Sequence, residues 1–79
     1  MRAEDLDYWL KAASFRPFLI RLNSGRTFEI RHPEMLRVGR TNATVFSFAG
    51  DPPDFYERAQ MISLVLIESV EPIEAAHPA

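Results

Sequence analysis

The 79-residue sequence contains no cysteine. That excludes a disulfide framework, thiolate metal sites and a cysteine nucleophile, and leaves stability to packing alone. Lysine is nearly absent as well, because eight of the nine basic residues are arginine, the side chain suited to bidentate and stacking contacts. Long apolar runs are missing too. The longest, residues 61–67, is seven residues with Ser63 inside it, against the roughly 20 needed to cross a bilayer. Met1 and Arg2 are followed at once by Glu4, Asp5 and Asp7 rather than by an apolar stretch, so neither a secretory signal nor a membrane segment is expected and the chain reads as cytoplasmic.

What is present is ordinary globular composition: 47% hydrophobic, 25% charged and 11% aromatic residues, too apolar for disorder. A chain this short buries only about 60% of its unfolded surface. One core is expected, in a single domain over residues 1–73 with a frayed tail over 74–79. Help from a partner subunit would suit so small a core.

Charge is unevenly distributed. Residues 1–15 set Arg2 and Lys11 against Glu4, Asp5 and Asp7; residues 16–40 set six arginines against Glu29 and Glu34; residues 41–79 set Arg58 against six acids. The middle third is therefore basic and the last third acidic, which suits either solvated faces or contact with phosphate or an acidic partner.

Leu6, Trp9, Leu10 and Ala13 recur at helical spacing, and acids crowd the first turn, where the helix dipole favours them. The spacing predicts an N-terminal helix over about 4–13, closed by Pro17, which lacks an amide proton. Beyond it the period becomes two. Phe18, Ile20 and Leu22 alternate with Leu19 and Arg21, Asn23-Ser24-Gly25 forms a turn, and Phe28 and Ile30 alternate with Thr27, Glu29 and Arg31. This is a β-hairpin with Phe18, Ile20, Leu22, Phe28 and Ile30 inward. His32-Pro33-Glu34 breaks the second strand. A third strand is expected over about 35–39 with Leu36 and Val38 inward, a tight turn at Gly39-Arg40-Thr41-Asn42, and a fourth strand over 43–48 with Phe46 and Phe48 on one face. A proline- and acid-rich loop follows over 49–57.

Residues 61–67 are too continuously apolar for a strand with one wet face. A strand to about Ser63, a 3₁₀ corner over 64–67 and a short final strand over 68–72 account for them, and part of the run would also suit pairing with another subunit through a sheet edge. Closing such short strands into a barrel removes most open edges. The fold class expected is therefore mainly β: one N-terminal helix and a five-stranded antiparallel SH3-like or Sm-like small barrel.

Phe15-Arg16-Pro17-Phe18, then Leu22-Asn23-Ser24-Gly25-Arg26, His32-Pro33-Glu34 and Val38-Gly39-Arg40 together resemble a family of small bacterial proteins written F-x-P-F-x-[IV]-x-L-x-x-G-R, H-P-E and V-G-R. The resemblance covers most of the chain and implies an Sm-like barrel with no assigned activity. The hairpin also looks like the opening of an Sm domain. The Asp-x-x-Asn and Arg-Gly elements with which Sm proteins read RNA are replaced here, so ring assembly and RNA binding do not follow from the resemblance.

No catalytic set, metal site or cofactor is expected. His32 beside Glu34 is the only acid–base pairing in sight, and it reads as a turn held by side-chain hydrogen bonds; His77 lies in the tail. Two surfaces remain as candidates. Arg21, Arg26, Arg31, Arg37 and Arg40 would form a face for single-stranded nucleic acid. Met61, Ile62, Leu64, Phe55 and Tyr56 would form an interface with a protein partner or another copy. The second reading, a non-enzymatic interaction or self-assembly module, is preferred, since the acidic last third opposes RNA.

Overall fold

The structure, a computed structural model, describes residues 1–49 and 55–73. The tail over 74–79 and most of the acidic loop lie outside the described residues. The first element is helix α1, Ala3–Leu10. It ends three residues before the sequence suggests, with the Lys11 amide donating to the Asp7 carbonyl and Ser14 at a φ of 62°, so Ala13 lies outside the helix and exposed. Leu6 is fully buried, and Ala3, Trp9 and Leu10 pack against the core. The Trp9 ring lies 5.6 Å and the Phe15 ring 5.9 Å from that of Phe18, both tilted, the geometry aromatic pairs prefer.

Six strands follow, where the sequence suggests five: β1 Phe18–Leu22, β2 Thr27–Ile30, β3 Leu36–Val38, β4 Asn42–Ala49, β5 Phe55–Ser63 and β6 Ile67–Pro72. They form two antiparallel sheets in the orders β2-β1-β6 and β3-β4-β5, not a closed barrel. Pro33 starts a 3₁₀ turn, Pro33–Met35, that separates β2 from β3. A second 3₁₀ turn, Leu64–Leu66, separates β5 from β6. No ladder joins the sheets at either break among the described residues, because each turn takes its residues out of extended geometry.

β1 is the strand both halves of the first sheet share. It pairs Ile20 with Phe28 of β2 on one side and with Val70 of β6 on the other. Its burial alternates strictly, with Phe18, Ile20 and Leu22 buried, as period two predicts. Phe28 faces inward as expected and packs against the core, but it is only half-buried, with the Arg26 guanidinium 5.1 Å above its ring, since β2 is an edge strand with no further strand paired to it among the described residues. The second sheet adds Leu36, Ala43, Val45 and Ile62, the corner adds Leu64 and the start of β6 adds Ile67, to a single core.

Two turns depend on glycine. Gly25 has a φ of 97°, open to glycine at little cost, and its amide donates to the Leu22 carbonyl. Ser24 supplies a local side-chain acceptor for the Arg26 amide, and the Asn23 amide donates to the Leu66 carbonyl, tying this turn to the far corner. At Gly39, whose amide donates 2.7 Å to the Asn42 carbonyl, a Cβ would stand 3.0 Å from Asn42 Oδ1.

Ile20 and Met61 separate core from surface, at 0% and 69% exposure. Ile20→Ala is expected to lower the unfolding free energy by about 2–5 kcal/mol, a large share of the total for a chain this size. Met61→Ala is expected to cost less than about 0.5 kcal/mol. Urea denaturation of both variants checks this; equal costs would contradict the placement of the core.

Candidate interaction surfaces

The five arginines do not make one face. Alternation along β1 and β2 sets Arg21 on the outer side of the first sheet, where its guanidinium meets Glu71 of β6 at 3.6 Å. Arg31 folds back on Glu29 at 3.0 Å. Arg26 covers Phe28 and donates to Gln60 Oε1 of β5 at 3.0 Å, bridging one sheet to the other. Arg37, on β3, and Arg40, in the β3–β4 turn, are exposed and have no ion pair among the described residues. The basic and acidic thirds thus meet inside one molecule, through Arg21 and Glu71.

His32 and Glu34 are exposed. The turn they occupy is held by the Met35 amide donating to the His32 carbonyl, without a side-chain cap. Backbone bonding therefore replaces the side-chain bonds expected there.

A shallow groove runs between α1 and the β3–β4 turn, with Arg2, Glu4, Asp7, Lys11 and Arg40 among its charged lining residues. Arg2 pairs with Glu4 and Lys11 with Asp7, so the helix side is internally neutralised. The Glu4 carboxyl is held below its ordinary value by a backbone hydrogen bond at the start of α1 and then by Arg2.

The predicted interface residues divide. Ile62 and Leu64 are core residues at 6% and 3% exposure, so their side chains point away from the surface. Met61, on the same strand, is exposed. The side chains of Phe55 and Tyr56, at the start of β5, lie outside what is described. The parity rule explains the split: Ile62 pairs with buried Ala43 on the inner face, whereas Met61 pairs with Thr44 on the outer one. The apolar run read as covered on both sides is covered on one. Val65 at 76% and Leu66 at 43% are exposed in the corner that follows β5; the sequence offers the run 61–67 as a contact segment without singling them out, because nothing in an all-apolar run marks which members a 3₁₀ turn throws outward.

The outer faces of the sheets differ in chemistry. Across the first sheet the rows are Glu29–Leu19–Glu71 and Thr27–Arg21–Ser69, a wet, charged surface. Across the second they are Arg37–Thr44–Met61 and, on the next register, Phe46–Ala59. Phe46 is half-buried and Ala59 exposed. Apart from Arg37 at its margin, that face is uncharged and weakly polar.

No protein-family model, curated protein or solved structure matches the chain. Among the described residues, no helix is long and apolar enough to cross a membrane.

The division of the arginines is measurable. Arg21→Ala should cost up to about 1 kcal/mol, an increment that shrinks in high salt because the pair with Glu71 is half-exposed. Arg37→Ala and Arg40→Ala should leave the denaturation midpoint unchanged at either salt. A salt-dependent loss at Arg37 matching that at Arg21 would contradict the assignment.

Proposed function

We propose that this chain is a non-enzymatic interaction module that assembles through the outer side of its second sheet. The observation that carries the reading is the exposure of Met61 on the outer face of β5, with Val65 and Leu66 also exposed in the corner that follows it: in so small a domain apolar area left in water forfeits about 25 cal/mol per Å², and exposed apolar surface marks contact sites. The uncharged Phe46–Ala59 and Thr44–Met61 rows extend that area along the sheet. With the first and last described strands paired and a 3₁₀ corner before the latter, the connectivity supports an SH3-like or Sm-like small barrel, opened between β2 and β3 and between β5 and β6, as the family resemblance implies.

RNA binding through an Arg-rich face is the second reading. It is favoured by Arg37 and Arg40, which are exposed and have no ion-pair partner among the described residues. It is weakened by the engagement of Arg21, Arg26 and Arg31 within the chain.

Sedimentation equilibrium from micromolar to millimolar protein tests the first reading: the weight-average mass should rise with concentration, and a strict monomer throughout would speak against it. Fluorescence anisotropy of a short single-stranded RNA tests the second. Two free arginines would give at most weak binding, with a log–log salt slope near about −1.4, and no change at low ionic strength with micromolar protein would remove it.

A further inference from the structure

Four strands stand at sheet edges, and three are guarded. β2 and β3 are four and three residues long, and β6 is bent by the extra residue Glu68, between the pairs Arg21–Ser69 and Leu22–Ile67, and ends at Pro72. Short length, bulges and proline are the devices that keep edges from pairing. β5 is different. It has nine residues, its one irregularity sits at Glu57, between the pairs Ser47–Arg58 and Phe48–Tyr56, and from Arg58 to Ser63 it stays in register with β4 without proline or lysine. On its other side no strand pairs with it among the described residues. Along these six residues the amide and carbonyl groups of alternate residues point away from β4 and have no ladder partner among the described residues, on a regular edge that borders the apolar outer face.

We infer that β5 pairs with β5 of a second copy, antiparallel and about a two-fold axis at Gln60, joining two three-stranded sheets into one of six. This rests on the reading of the chain as an assembly module and names its partner and contact. The occupant follows from self-complementarity, which an isologous contact requires. With Gln60 opposite the partner's Gln60, Met61 lies opposite the partner's Ala59 and Arg58 opposite the partner's Ile62. The outer rows then run on across the junction as Thr44–Met61 into the partner's Ala59–Phe46, apolar against apolar. Directly opposed residues are the pairs that stabilise antiparallel strands, and like charges there repel. Centring the axis on Arg58 would oppose two guanidiniums, and centring it on Ala59 would set Glu57 against Met61. Gln60 sets no charged β5 side chain against its like, and the exposed Arg26 guanidinium, which donates to Gln60 Oε1 within one chain, turns away from the axis on pairing.

Charge reversal across the proposed pair tests this, because residues 59 and 61 are both exposed in one chain and folding of each variant is checked by far-UV circular dichroism. Sedimentation equilibrium of the full chain is expected to show a dimer. Ala59→Lys, and separately Met61→Glu, should weaken it roughly tenfold or more, since each buries an unpaired charge at the junction. The double variant, Ala59→Lys with Met61→Glu, should restore dimerisation by placing each lysine opposite the partner's glutamate. A dimer that tolerates both single changes overturns the β5 contact while leaving assembly by another surface intact. Loss in both singles without recovery in the double overturns the Gln60 register. A wild-type chain monomeric throughout overturns the pairing and the assembly reading together.

Discussion

The structure depends on one strand being bonded on both sides. β1 holds β2 and β6 at once, and Phe18, Ile20 and Leu22 on its inner side are the side chains around which α1, the second sheet and the Leu64 corner gather. The last of the described strands must therefore return to the first. A domain of this size cannot spare that contact: its stability is the small remainder of opposing terms, and residues 18 and 72 lie opposite each other in the same ladder. The Asn23–Leu66 hydrogen bond and the Arg21–Glu71 pair act at the same closure, one through the backbone and the other through charge.

From that closure follows the chemical difference between the two sides of the molecule. The first sheet joins the basic third of the chain to the acidic third, so its outer face comes out charged and mutually paired. The second sheet is built from β3, β4 and β5, and β4 and the far half of β5 carry Thr44, Phe46, Ala59 and Met61 on the outward parity. Water is a good partner for the first surface and a poor one for the second. The functional reading rests on that contrast rather than on any reactive group.

The hairpin over 18–30 was legible because one strong signal, period-two alternation around a glycine turn, is local in sequence. The same holds for the corner at 64–66, where continuous apolarity excludes a plain strand. What failed is non-local. Proline at 33 marks a break, but whether the chain resumes in the same sheet or a new one depends on strands far away, and the strands expected to close into one barrel form two sheets instead. The arginines fail for a related reason: spacing shows that Arg21 is outward, but not that Glu71, fifty residues on, stands beside it. Ile62 and Leu64 illustrate the limit of composition, since every member of an apolar run looks equally fit for a partner until register assigns alternate members to the inside.

Native-state amide hydrogen exchange, followed residue by residue by NMR, tests the central position of β1 most directly. Opening free energy reports how much of the structure must come apart to free an amide. The account predicts that the amides of Leu19, Ile20 and Arg21, flanked by a strand on each side, exchange among the slowest in the protein and only through global unfolding, ahead of those in the edge strands β2 and β3. Exchange from β1 as fast as from β3 would contradict it, since the strand would then be opening without taking the core with it.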